Sequence, residues 1–208
     1  IRKQIQNDTL NSSIVYNNLE LARSHWERVR DEVSPELAAI AKTLDDEQVV
    51  TLFAALEKDN KEEEEERQEA LEKSEAQRLK DRIERIQETI RERNGDRSKE
   101  QKQIVSTYAQ QFISTGDAWI TYRRNIQNAA RKLFVSRKQN ERFEQELVVL
   151  MQNPDNYKSD VYKQSSAHNM TVTATLLAEI FSTLSEKQRQ TLIENVDELI
   201  ETVDNFMD

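Results

Sequence analysis

The tetrad Asp45-Asp46-Glu47-Gln48 constrains this chain more than any other stretch, because it starts a helix directly after another has ended. Asp45 is a good N-cap, and Gln48, three residues on, can reach back to the Asp45 N–H to complete a capping box. Leu44 and Val49 stand at the two hydrophobic-staple positions, where their contact would fix the angle between the helices. Leu37, Ile40, Ala41 and Leu44 recur at helical spacing before the joint. Val49, Leu52, Phe53 and Leu56 do so after it. Ser34-Pro35 reads as the start of a short helix over 35–43, with Pro at the first helical position where its missing N–H costs nothing.

The same signature returns at Ser185-Glu186-Lys187-Gln188, and again at Ser98-Lys99-Glu100-Gln101 and Ser74-Glu75-Ala76-Gln77. The intervals are unequal, so the chain is not a regular solenoid. Only 2 Gly and 2 Pro in 208 residues leave few turn-formers. No run shows strict period-2 alternation. The expected fold is all-α: an elongated multi-helix bundle of long amphipathic helices with capping-box joints, forming one domain over 1–208.

Taken in order, residues 1–8 read as a frayed polar lead. A helix over 9–33 follows, with a packing seam of Val15, Leu19, Ala22, Trp26, Val29 and Val33. Residues 57–78 are expected to form a charged arm, either a projecting solvated helix or a partly disordered link. Glu57 to Glu69 holds no apolar residue to bury and includes five successive glutamates, Glu62 to Glu66. Further seams follow at Leu79, Ile83, Ile86 and Ile90, and at Ile104, Tyr108 and Phe112. Asn94-Gly95 closes the first of these helices and Gly116 the second. Asp117 caps a helix seamed by Trp119, Tyr122, Ile126, Ala129 and Leu133. Asn140 caps one carrying Phe143, Leu147 and Leu150. Asn153-Pro154 is a break. The last seams are Met170, Thr173, Leu177, Ile180 and Leu184, then Leu192, Val196, Leu199, Val203 and Phe206.

A formal charge of −9 argues against a nucleic-acid partner, which needs a broad basic face. The chain has no cysteine, which removes disulfides, thiolate metal sites and thiol nucleophiles. No apolar run approaches a membrane span. His25 and His168 lack a carboxylate at i+3 or i+4, and no phosphate-loop, HExxH, GxSxG or GxGxxG pattern occurs. The sequence therefore offers no catalytic residue, metal ligand or cofactor site. Ile1 is not an initiator Met, so an upstream part of the chain is expected to precede it.

One basic strip stands out against the acidic background. Arg124, Arg131, Lys138 and Arg142 lie at steps of 7, 7 and 4 and share a face if one helix carries them all. As a solvated face the strip needs no further role. As a docking strip it would meet anionic lipid, an acidic protein partner or the chain's own Glu62 to Glu66.

The run from Trp26 to Glu62, with the later SKEQKQIV turn, Trp119 beside Arg123-Arg124, the Asn153-Pro154 break and LSEKQRQTLIENVDELI, resembles an uncharacterised family of helical lipoproteins of Gram-negative bacteria. The resemblance implies a lipid-modified N-terminal Cys upstream, an anchor absent from this sequence, and a place on the periplasmic side of the cell envelope. It implies no activity. A second likeness, carried by Leu184-Ser185-x-x-Gln188 and Leu44-Asp45-x-x-Gln48, is to small periplasmic stress chaperones with an L-T-x-x-Q motif, which are shorter and commonly basic. The expectation is a non-catalytic structural or adaptor module that binds a protein partner. The alternatives are a periplasmic holdase for unfolded chains and an enzyme of unrecognised type.

Overall fold

The computed structural model describes residues 2–7 and 9–207, the side chains of Leu199 and of residues 202–207 excepted. The described chain is all-α, with nine α-helices and no strand among the described residues. These are α1 (Arg2–Gln6), α2 (Ser12–Thr43), α3 (Asp46–Glu72), α4 (Glu75–Asn94), α5 (Lys99–Ala109), α6 (Gly116–Ser136), α7 (Phe143–Gln152), α8 (Asp160–Ser182) and α9 (Glu186–Met207), with a 3₁₀ turn at Pro154–Tyr157. They fall into two compact units, Ile1–Glu20 with Lys73–Ile113 and Ala167–Asp208, and Leu21–Glu72 with Ser114–Ser166. Two of the four boundaries lie inside α2 and α8, and the other two fall between α3 and α4 and between α5 and α6.

The first unit is built on Ile90, Val105, Leu176, Ile180 and Leu184, with Ile83, Ile86, Ile104, Tyr108 and Phe112 packed around them. The seams expected on α4 and α5 supply much of this core, while the α8 seam keeps the expected Ile180 and Leu184 but buries Val172, Ala174 and Leu176 in place of Met170, Thr173 and Leu177. Two capping boxes close it. Ser98 Oγ accepts from the Gln101 N–H while Gln101 Oε1 accepts from the Ser98 N–H, and Ser185 and Gln188 repeat the exchange. Ser74 makes only the first half, because the Gln77 amide turns forward to Asp81. The carbonyls that end α5 are met by Arg82, whose Nη1 donates to Ala109 O at 2.9 Å and Phe112 O at 3.1 Å. Residues 2–6 are not frayed. They form α1, bury Ile5 to 1% exposure against α9, and Arg189 donates to the Ile5 carbonyl. Arg2 adds an ion pair to Asp197 at 2.9 Å, so a buried aliphatic side chain and two arginine contacts hold a helix that a count of polar neighbours hides. On α9, Leu192 packs against this core, while the expected seam positions Leu199, Val203 and Phe206 lie outside the described side chains.

The second unit is built on Ala38, Phe53, Phe134, Phe143 and Leu147, with Leu44, Val49 and Leu56 packed against them. Phe134 meets Phe53 and Phe143 edge to face at 5.4 and 5.2 Å. The Asp45–Gln48 box is fully formed, and both staple residues reach the core. Arg137 locks the joint from the other side: it is buried, donates to Leu44 O and Phe134 O, and pairs with Asp46.

Three expectations change here. The helices expected over 9–33 and 35–43 are one helix, α2, which begins at Ser12 and runs through Pro35. Pro35 has no N–H for the carbonyl of Asp31, four residues back. That carbonyl instead accepts from Gln152 Nε2 at 3.1 Å, so the helix continues without an orphan. Gly116 opens α6 rather than closing α5, and Asp117 lies in its first turn rather than at its cap. Asn140 receives the Arg142 N–H on its side chain and the Phe143 N–H on its carbonyl, but the residue flanking α7 is Arg142.

Candidate functional site

The acidic stretch of α3 lies along α6. Arg124 pairs with both Glu57 and Glu64, the first at 3.1 Å. Arg123 and the Trp119 indole N–H each take one oxygen of Glu63, at 2.8 and 3.0 Å. Buried Asn60 donates to Gln127 at 2.5 Å, and Arg67 holds Asp117 through two bonds of 2.8 Å. A Cβ at Gly116 would stand 3.1 Å from Arg67 Nε, so the guanidinium would have to shift by a few tenths of an ångström to admit one. The hydrogen bonds from Arg124 hold the Glu57 and Glu64 carboxyls below their ordinary range, and the two carboxylates hold the Arg124 guanidinium above its own. A segment without apolar residues thus has partners after all, and they are charged or polar.

The four strip residues come to four different settings. The helix ends at Ser136, so Lys138 and Arg142 lie beyond it and the shared face does not continue. Arg124 belongs to the clasp just described. Arg131 stacks over the Phe53 ring at 4.5 Å, and Lys138 pairs with Asp46 at 2.7 Å. Arg142 borders a shallow groove of about 450 Å³ with Lys132, above an apolar floor of Leu133, Val149 and Leu150. Of the three candidates for meeting the strip, the chain's own acidic stretch takes Arg124.

A different surface comes forward on α2. Trp26, Val29, Val33, Leu37 and Ile40 are 71, 50, 41, 50 and 59% exposed. Their steps of 3, 4, 4 and 3 keep them on one helix face. The core is reached by the adjacent face, about 100° round, where Ser34 and Ala38 are buried and Ala41 packs against the core. The small residues face inward and the large apolar ones outward. The seam read from spacing alone is therefore present on this helix, but its Trp26–Val33 portion is turned to solvent. Ser34 fits the inner face because its hydroxyl donates to Arg30 O at 2.6 Å.

The two histidines are structural neighbours of ordinary groups. His168 Nε2 stands 2.9 Å from Gln111 O, and His25 Nδ1 3.0 Å from Arg28. Among the described residues no group of three His, Asp or Glu side chains converges as a metal site. No described helix is long and apolar enough to cross a membrane.

Residues 1–163 match the profile of a family of unknown function, DUF6279, and the chain belongs to that family. No curated protein and no solved structure matches it.

Proposed function

We propose that this DUF6279 family member works as a non-catalytic structural or adaptor module that binds another protein through the outward face of α2. The observation that carries this reading is the run of five exposed apolar side chains from Trp26 to Ile40 on one face. A solvent-facing Trp at 71% exposure, continued by four aliphatic residues over four helical turns, is costly to keep unless a partner covers it. The occupant that fits is an α-helix with its own apolar residues at alternating steps of three and four, since ridges of such a helix interlock with these. The resemblance set out above supports a setting on the periplasmic side of a Gram-negative envelope, held there by a lipid anchor.

Photo-crosslinking in cells tests the surface itself. A photoreactive phenylalanine analogue at position 29 or 37 should link to a protein partner, and the link should disappear with Trp26→Glu. The same probe at Val50, which is 68% exposed on α3, should give no link. Equal yields at 29, 37 and 50 would overturn the assignment.

A further inference from the structure

We infer that the helix which covers this face is the same face of a second copy of the chain, packed antiparallel about a two-fold axis at Val33. This rests on the reading of α2 as a docking surface and names its occupant. The argument is one of symmetry. Steps of 3, 4, 4 and 3 from Trp26 to Ile40 read the same in both directions. With Val33 on the axis, an antiparallel copy brings its Ile40 level with Trp26, its Leu37 level with Val29, and its Val33 against Val33. Every exposed apolar residue of the face meets another. A slip of one full turn, about 5.4 Å, would leave an apolar residue at the end of each stripe without an opposite number. Closed two-fold association is also the commonest symmetry among soluble oligomers, and it needs a surface that is its own complement.

Area decides whether such a contact can hold. At their stated exposures the five residues present on the order of 500 Å² of surface, so two copies that cover it completely reach the ~1,000 Å² at the lower bound of a specific interface. Glu36 lies beside one edge of the stripe and Arg30 beside the other, and Arg30 is already neutralised by Asp31 at 2.7 Å. Pro35, where the backbone ladder of α2 is interrupted, lies away from the stripe. The helix–helix contact therefore does not have to cross that gap.

The chain contains no cysteine, so single introduced thiols report on one contact at a time. Under mild oxidation in a glutathione buffer, Val33→Cys should give a disulfide-linked dimer at least tenfold faster than Val50→Cys. A mixture of Trp26→Cys and Ile40→Cys chains should give the mixed dimer, and Trp26→Cys alone should not. Sedimentation should show a dimer for the unmodified chain and a monomer for Val33→Glu. Trapping of Trp26→Cys with itself in place of the mixed pair would show parallel packing and overturn the inference. So would a monomer at every concentration with Val33→Cys no faster than Val50→Cys. If that monomer still cross-links to a different protein at positions 29 and 37, the docking surface stands and only the second copy is lost. If those links are absent too, both readings fall.

Discussion

Gln101 and Gln188 hold each other by two hydrogen bonds inside the first unit, Nε2 to Oε1 in each direction, at 3.1 and 3.0 Å. Each is the third residue of a capping box, and each gives its second N–H to a backbone carbonyl, of Thr183 and Asp96 respectively. Both amides are therefore fully satisfied although Gln101 is 0% and Gln188 8% exposed. Two helix starts, far apart in sequence, are keyed to one another by the residues that cap them.

That arrangement predicts a cost larger than the loss of a cap. Gln188→Leu takes one partner from each end of the Gln101 amide and removes the donor to the Asp96 carbonyl and the acceptor of the Ser185 N–H, which should destabilise the chain by about 2–3 kcal/mol. Ser185→Ala removes one cap acceptor and should cost about 1 kcal/mol. Urea titrations of the two variants check the order. Equal effects would mean that the glutamine pair contributes nothing beyond its capping.

Pro35 and Gln152 should be coupled energetically. Gln152→Leu strips the Asp31 carbonyl of its donor and should cost about 1 kcal/mol. In a Pro35→Ala background the backbone N–H returns, the helix supplies its own bond, and most of that cost should vanish. A double-mutant cycle measures the coupling, and additive effects would contradict the role given to Gln152.

Much of the fold was legible in the sequence because it rests on local chemistry. The Asp45, Ser98 and Ser185 boxes, the Asn94-Gly95 stop and the Asn153-Pro154 break all depend on residues within a few positions of each other. What local reasoning missed are relations across the chain. Pro35 reads as a helix start unless Gln152 is known to be near Asp31. Glu57 to Glu69 reads as unsupported unless Arg123 and Arg124 are known to face its glutamates and Asp117 its Arg67. The surface on α2 was legible as a stripe but not as an exposed one, since spacing says which residues share a face and not which way the face turns. Ser34 and Ala38, small enough for close helix contact, were the available hint.

Acid should loosen the clasp between α3 and α6. Glu57 and Glu64 have folded-state pKa values lowered from 4.5 by the Arg124 hydrogen bonds, so the unfolded chain binds protons more readily than the folded one. Their contribution is whole above pH 4.5 and is lost as pH falls through the lowered folded values. Both carboxylates are solvent-accessible, so added salt should weaken the clasp as well. Amides over 57–67 should be protected from exchange at neutral pH, and less protected, relative to the intrinsic rate at each pH, below pH 4 or in Arg124→Gln. Fast exchange in the unmodified chain at neutral pH would show that the clasp does not order the segment.

An adaptor and a holdase differ in what the α2 face does for unfolded chains. With its face covered by a folded helix, the protein should not suppress aggregation of an unrelated denatured protein at near-stoichiometric ratio. Suppression that is lost on Trp26→Glu or Val33→Glu would favour the chaperone instead.

The central claim, that the Trp26 face is covered when the protein works, is tested most directly by fluorine NMR of the chain labelled with 5-fluorotryptophan. Two signals arise, from Trp26 and Trp119, and Trp26→Phe assigns them. In dilute protein the Trp26 signal should show the full solvent-isotope shift of an exposed indole. It should lose most of that shift as protein concentration rises or as extract of its own cells is added, while Trp119, bonded to Glu63, stays as it was. A Trp26 signal that keeps its full isotope shift under both conditions would contradict the account.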